Sequence, residues 1–431
     1  MLPVPSLAEN ATMFCFVLIL LVPLAWIGVG LLNAGLGRSR SAAHAVLTCL
    51  CSGGIAVTTF VIFGYSWQAT AANSGHFVSV GTHSWNLLAS QPFFLRGSRL
   101  DLSAESLIVL LQIFSVALAA IIPLSAGSDR WRLGPACISS ALLAGVVYPV
   151  FAHWVWGGGW LAQLGTNVGV GRGFVDAGGA STIQITGGLT ALSITWILGP
   201  RRGKFSPQDM PAGIPGHNAV FALVGCLFAW IGWLGLNTAG AILFAGCQIS
   251  AVVLIVVNTT LSAVAAALTM SALTKARFGR PDASLCANGW MSGLVASSAA
   301  APFVKPASAI IVGIIAGVIV VYSIDLLEAR LTIDDPAGAI SVHAVAGVWG
   351  LFAVSLLTGA ASSGQWLAQL AGVCTLFGFV LPFTYGLNWI LDRFYRQRVD
   401  EEGEMQGMDL YELGAGAYPE FVTHHDEFLP R

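Results

Sequence analysis

Apolar residues in this chain gather into runs of about 18 to 25 positions, separated by short breaks rich in charged residues, Pro and Gly. A helix needs about 20 such residues to cross the hydrocarbon of a bilayer, so each run reads as a candidate span. The pattern predicts spans near 12–35, 43–68, 105–127, 133–152 and 177–199, then 218–237, 242–273, 284–301, 306–327, 338–358 and 366–391. The expected fold is an all-α membrane protein with eleven transmembrane helices. An odd number of spans puts the termini on opposite sides.

Charge gives the runs a direction. With the N-terminus outside, the inner loops and tail hold Arg38, Arg40, Arg130, Arg132, Arg201, Arg202, Lys204, Lys275, Arg277, Arg280, Arg330, Arg393, Arg396, Arg398 and Arg431, which is 15 of the 19 basic residues. Only Arg96, Arg99, Arg172 and Lys305 fall outside, so the positive-inside rule predicts N-out and C-in. Composition agrees with the membrane reading: 56% of the 431 residues are hydrophobic, 9% are charged, and 50 are Gly. Small residues let helix backbones approach where lipid supplies no hydrophobic drive between them. A net charge of −2 offers no basic stripe for a nucleic acid. Nearly all eight cysteines sit inside apolar runs with no CxxC pair, so they read as small buried hydrophobes, and no metal or cofactor is expected. The polar start MLPVPSLAEN lacks a basic n-region, so the first run reads as a retained span.

Two motifs recur five spans apart. AWIGVGLLNAG at 25–35 matches AWIGWLGLNTAG at 229–240, with Asn33 and Asn237 each eight residues after the alanine. DAGGASTIQITGG matches DPAGAISVHAVAG, in which Asp176 precedes Gln184 by eight and Asp335 precedes His343 by eight. Matched pairs at this spacing predict two five-span halves of opposite topology, about 12–199 and 218–358, with the span at 366–391 outside the repeat. Gln184 and His343 are polar groups at helix depth, costly in hydrocarbon unless they face each other or a cavity. Equivalent positions of an inverted repeat meet near its axis, so these two are expected to touch. Asp176 stands at the outer start of its span, where a carboxylate caps backbone N–H groups or attracts a cation.

In these motifs and others along its length, the chain resembles the ammonium transporter family (Amt/Mep/Rh). The likeness rests on NAGLGRSR after the first span, FGYSW at 63–67, AHWVWGGGWLAQLG at 152–165, GWLGLN at 232–237, VNTTLSA at 257–263, DDPAGAISVHAVAGVWG at 334–350 and RVDEEGEMQGMDLYELGAGAY at 398–418. It implies a multi-pass plasma-membrane homotrimer that moves ammonium or ammonia inward through a pore in each subunit. Trp156 matches the vestibule tryptophan that recruits the cation, Asp176 the structural aspartate and His343 the second pore histidine. Gln184 stands where the family carries the first. Leu111 and Leu236 align with the two gating phenylalanines, Ser115 with the vestibule phenylalanine and Gly240 with the vestibule serine. Phe114 lies one position from Ser115, a rotation of about 100° on a helix, and is not counted as its substitute. Asn237 and Asp335 are assigned structural roles.

These departures change the expected physics. A Gln amide does not titrate, so a Gln–His pair cannot relay protons as two imidazoles can. Loss of the ring at Ser115 removes about 2 kcal/mol of desolvated cation–π contact. Neutral ammonia conduction, cation conduction with altered selectivity and no conduction all remain open. The alternative function is an ammonium sensor or non-conducting paralogue. Sensors of this family usually carry a fused signalling domain, whereas here the tail at 398–431 resembles the cytoplasmic segment that meets a PII-type regulator. Residues 1–397 form the expected transmembrane domain. No nucleophile motif or phosphate-cradling loop supports an enzyme.

Overall fold

The computed structural model describes residues 7–69, 75–205, 211–358 and 363–418. Among them ten helices are long and apolar enough to cross a membrane: α1 (Glu9–Leu36), α2 (Ser39–Gln68), α3 (Ala104–Ala126), α4 (Leu133–Trp156), α5 (Ala180–Leu198), α6 (Ala219–Phe244), α7 (Ile249–Phe278), α9 (Pro306–Leu331), α10 (Ile340–Leu357) and α11 (Gly364–Phe394). Between α7 and α9 lies α8 (Ala283–Ala300), the segment expected at 284–301. It is helical, but its Ser, Gly and Asn residues leave it outside those ten, and from Met291 to Ala300 it is wholly buried among its neighbours. Such a helix meets protein rather than lipid, so it needs small residues more than hydropathy.

Two expectations need correcting. The sixth span, expected to end at 237, runs to Phe244, and α7 begins at Ile249 rather than 242. Asn237 does not end the helix, because its amide donates to Thr259 Oγ1 (3.0 Å) and Ser297 Oγ (3.1 Å) inside the bundle. The chain turns instead near Gly246, at a left-handed φ of 66°. The all-α reading also missed an antiparallel hairpin between α2 and α3, formed by β1 (Gly75–Val80) and β2 (His83–Ala89). Val80 pairs with His83, leaving a two-residue turn with Gly81 at φ 60° that suits the twist of a hairpin.

Segments that carry the repeated motifs pack directly on one another. A Cβ added to Gly232 of α6 would lie 2.2 Å from Ala25 N of α1, and one on Gly28 of α1 would lie 2.4 Å from Ala229 N. The same closeness joins α5 to α10, where a Cβ on Gly188 would lie 2.5 Å from Ala344 N. At these seams the backbones themselves are the contact surface.

At the end of the bundle where α3 stops and α4 starts, a buried ionic cluster ties three loops. Arg201 clasps Asp334 with Nε to Oδ2 (2.9 Å) and Nη2 to Oδ1 (3.0 Å), and its Nη1 donates to Asp129 (3.0 Å). Arg130, fully buried, donates to Gly199 O (2.8 Å) beyond α5 and to Asp334 O (2.9 Å). Burial opposes the Asp334 charge, but the Arg130 charge and the Arg201 hydrogen bonds outweigh it and hold the carboxyl down to about 2. The tail docks on the same face. Glu404 accepts from Arg398 Nη2 (2.8 Å) and Arg202 N (2.7 Å). Asp409 accepts from His44 N (2.7 Å) in the first turn of α2, and Glu412 from Leu133 N (2.8 Å) at the start of α4. Two tail carboxylates thus satisfy backbone donors of two spans.

Two predictions follow from this packing. Gly232→Leu places a side chain where Ala25 backbone stands, and is expected to abolish folded protein in detergent, read by size-exclusion chromatography, while Ala222→Val on the same helix gives a milder loss. Asp334→Asn breaks a buried pair and should destabilise by about 3–5 kcal/mol near neutral pH. Because the folded pKa of Asp334 is depressed, its contribution is full above the unfolded carboxylate value of about 4 and is lost as pH falls towards about 2. Melting temperatures of the two proteins should therefore converge across that window; a constant gap would refute the assignment.

Candidate functional site

The centre of the bundle is built from two helix starts of the same design. Asp176 precedes Gly179 by three residues, and Asp335 precedes Gly338 by three; both glycines adopt left-handed φ, 88° and 72°. Each turn lets the chain fold back so that the carboxylate faces the next free N–H groups. Asp176 accepts from Gly179 N (2.9 Å), Ala180 N (2.8 Å), Ser181 N (2.7 Å) and Oγ (2.6 Å), and Thr182 N (3.2 Å). Asp335 accepts from Ala339 N (2.9 Å) and Ile340 N (2.7 Å). Both helices then open with a six-residue π-helical turn, Ala180–Ile185 and Ile340–Val345. Turns of this kind free carbonyls and swing side chains off the ordinary helical face.

Each π-helical turn carries one of the two polar residues picked out by the repeat, and the two meet. His343 Nδ1–H donates to Gln184 Oε1 at 2.8 Å, with both side chains buried. An amide oxygen only accepts, so His343 carries its proton on Nδ1 and presents Nε2 as an acceptor. Gln184 Nε2 and Thr182 Oγ1 have no partner among the described residues. His343 also lines a void of about 10 Å³ with Asn33, Ser125 and Asn288, room for one small molecule. Neither polar atom of the Asn33 amide has a partner among the described residues.

At the Asp176 end lies a cavity of about 310 Å³ walled by Trp156, Arg172, Phe174, Asp176, Phe244 and Phe303, among others. Trp156 ends α4, and its Nε1 donates to Asp176 O (2.7 Å), so one residue holds both the mouth and the start of α5. Phe244 stacks on the indole with centroids 4.2 Å apart and planes 6° from parallel. Sequence reasoning missed Phe244 because the sixth span was expected to stop at 237. The available signal was its place four residues after Gly240, one turn along the same face.

The other expected site residues lie inside the packing. Ser115 is fully buried and its Oγ donates to Leu111 O (2.7 Å). A Cβ on Gly240 would lie 2.3 Å from Ala177 O, so this position seats the segment after Asp176 and does not wall the cavity. Leu111 and Leu236 are buried on α3 and α6. Phe114 is partly buried against the core and is not among the residues lining the cavity. Asn237 bridges α6 to α7 and α8 through the bonds given above. No group of three or more His, Cys, Asp or Glu residues capable of holding a metal occurs among the described residues.

A family model described as the Ammonium Transporter Family matches residues 12–418. The ammonium transporter Amt2 of Archaeoglobus fulgidus is 32% identical over 419 residues, covering 93% of this chain and 86% of that protein. An ammonium transporter of Bacillus subtilis is 30% identical, covering 94% and 98%. Among solved structures, one named Sensor Amt Protein superposes with a TM-score of 0.84 at 26% identity over 93% of this chain and 97% of that one. Mep2 of Candida albicans superposes at 0.79 and 27% identity, over 97% and 92%.

Removing the Asp176 carboxylate would leave four buried backbone donors unpaired, each costing about 1–3 kcal/mol. Asp176→Ala is therefore expected to give little folded protein, and Asp176→Asn, which keeps one accepting oxygen, an intermediate yield. Normal yield and thermal stability of the alanine variant would assign the carboxylate to the cavity instead of the helix start.

Proposed function

We propose, from the premise that this chain belongs to the ammonium transporter family, that each subunit takes up ammonium at the Trp156 cavity and passes it as neutral ammonia between Gln184 and His343. The protein is a multi-pass membrane protein of the plasma membrane, and the relatives it matches are transporters rather than enzymes. The observation that carries the proposal is the Gln184–His343 hydrogen bond, held at the bundle centre beneath an aromatic-walled mouth.

In this reading α8 is an eleventh span, the N-terminus is outside and the C-terminus inside. Two inverted five-span halves, about 12–199 and 218–358, and the last span near 366–391 make a transmembrane domain of residues 1–397, followed by a cytoplasmic tail at 398–431. The assembly is a homotrimer, and the tail offers a surface to a PII-type protein. Leu111 and Leu236 line the pore, with Ser115 and Gly240 at the positions of lost recruitment groups.

Moving a unit charge into low dielectric costs on the order of tens of kcal/mol before relaxation, so ammonium gives its proton to water at the outer mouth and enters the apolar centre as ammonia. Ammonia is then held by complementary bonds. Its lone pair accepts from the unpartnered Gln184 Nε2, and one N–H donates to His343 Nε2. Gln184 does not titrate, so the shed proton has no route across the pair. At the mouth, Phe244 occupies the indole face on which a cation would otherwise sit, and binding requires it to swing aside.

The Sensor Amt Protein among the structural relatives, together with this cover over Trp156, favours a second reading, in which ammonium binds without turnover and is reported to a partner.

Proteoliposomes separate these readings. Under an ammonium pulse, the wild type should alkalinise a lumenal dye while giving little current on a solid-supported membrane. Gln184→His should raise the current by on the order of a hundredfold, the low end of what a positioned proton-transfer group contributes. Phe244→Ala should lower the half-saturating ammonium concentration by roughly tenfold, as the indole face regains a desolvated cation–π contact. Ammonium binding with neither alkalinisation nor current in any variant would overturn transport and leave the sensing reading.

A further inference from the structure

The tail residues Asp409–Leu413 form a π-helical turn that seats against the starts of α2 and α4. Most of what holds this turn is insensitive to pH near neutrality. Asp409 accepts from His44 N (2.7 Å) and Ala43 N (3.2 Å), and Glu412 accepts from Leu133 N (2.8 Å). Backbone amides keep their protons.

One contact is different. The His44 ring donates from Nε2 to Glu412 Oε2 at 2.8 Å, the same oxygen that Leu133 N reaches. Among the described residues His44 is the one histidine paired with a carboxylate. Histidine is the side chain whose charge changes between about pH 5 and 8, and a hydrogen bond between two charged groups is roughly twice as strong as a neutral one. Burial opposes the Glu412 charge, but the hydrogen bonds from His44 and Leu133 N outweigh it and hold the carboxyl below its ordinary value.

The other groups around the pair leave this bond as the one that responds. Thr48 Oγ1, one turn along α2, lies 3.4 Å from His44 Nε2 and does not titrate in this range. Arg132 Nε stands 3.5 Å from Glu412 Oε1 and stays charged, so the carboxylate keeps one cationic partner at every pH. Cys137 of α4 is the other titratable neighbour of Glu412. Behind the ring lies a void of about 20 Å³, walled by Asn33, Ser41, His44 and Asp129 among others. It has room for a water, through which a largely buried imidazole can exchange its proton. Asp129 does not compete for the ring, because Arg201 Nη1 (3.0 Å) and Arg38 N (3.2 Å) engage it.

We propose that the His44–Glu412 pair is a proton-dependent latch between the tail and α2, tight while the imidazole is charged and weaker once it is neutral. The sign follows from the bond: falling pH closes the latch and rising pH loosens it, with Arg132 and the backbone donors keeping the tail in place. Its coupling to uptake rests on the proposed function, whereas the latch itself does not. Each ammonia that arrives inside takes up one proton to become ammonium, so uptake raises the pH on the face where the latch sits.

Hydrogen–deuterium exchange of the full chain in detergent, without ammonium and corrected for the intrinsic pH dependence of amide exchange, tests it. Protection of the amides at 409–413 should fall roughly fivefold between about pH 6 and about pH 8.5, the difference between a charge-assisted and a neutral bond. His44→Gln keeps a donor that cannot titrate, and Glu412→Gln removes the charge from the other side. Both should show the weaker protection at both pH values. His217→Gln alters the other titratable tail contact, where His217 Nε2 meets the Tyr418 hydroxyl (2.9 Å), and should keep the wild-type fall. A wild type that does not respond to pH, a fall that survives in His44→Gln and Glu412→Gln, or one that disappears in His217→Gln overturns the proposal. Flux plays no part in this measurement, so a failure of the transport reading is seen separately.

Discussion

Every backbone donor inside a lipid-surrounded bundle needs a partner, and α5 and α10 both begin well within this one. Asp176 and Asp335 meet that requirement. Each carboxylate takes up the N–H groups that the first turn leaves free, and each depends on a left-handed glycine three residues on to reach them. The helices can therefore start deep in the protein, and their opening π-helical turns deliver Gln184 and His343 to each other. Because Trp156 is also anchored on Asp176 O, the mouth and the centre share one support.

The polar pair is affordable in this setting because its members satisfy each other and because the helices around them touch backbone to backbone. The small residues of the α5–α10 and α1–α6 seams leave little space for water or lipid. Several buried polar atoms along the bundle have no partner among the described residues, and Gln184 Nε2 and Thr182 Oγ1 are the ones beside the pair. Buried groups of that kind are usually paired, and in the proposed function a passing ammonia is the missing partner. Replacing an imidazole by an amide keeps a hydrogen bond while removing a titratable site, which separates substrate passage from proton passage.

The opposite end of the bundle is organised by charge. Arg130, Arg201, Asp129 and Asp334 join three loops that end α3, α5 and α9, and the tail extends this clasp through Glu404, Asp409 and Glu412. A carboxylate on a helix N-terminus serves a neutral donor and the helix dipole together, so the tail stabilises α2 and α4 through charge, while Val399 and Met408 are buried alongside. The face that carries Trp156 has the opposite character, with an aromatic-walled cavity, a hairpin and exposed apolar side chains.

Much of this was legible in the chain alone. Lipid imposes hydropathy directly, so ten helices appear close to where apolar runs predict them. The matched offsets from Asp176 to Gln184 and from Asp335 to His343 identified the two side chains that meet, because a repeated helix start repeats its geometry. Neighbour-dependent features were not legible. α8 is shielded by protein and so escapes a rule about lipid, and the end of α6 was misplaced because Asn237 finds partners on other helices. Side-chain direction was the least accessible, since π-helical turns at Phe60–Gly64, Leu143–Val147, Ala180–Ile185, Ile340–Val345 and Leu376–Val380 shift the 3.6-residue register on which such extrapolation rests. On α3 and α6, which carry no such turn, Ser115 and Gly240 lie in the packing, and Phe244 covers Trp156. Local sequence sets which segments cross the membrane and where their helices start; which ring stacks on which is decided by helix rotation and depth, known only once all the helices are packed together.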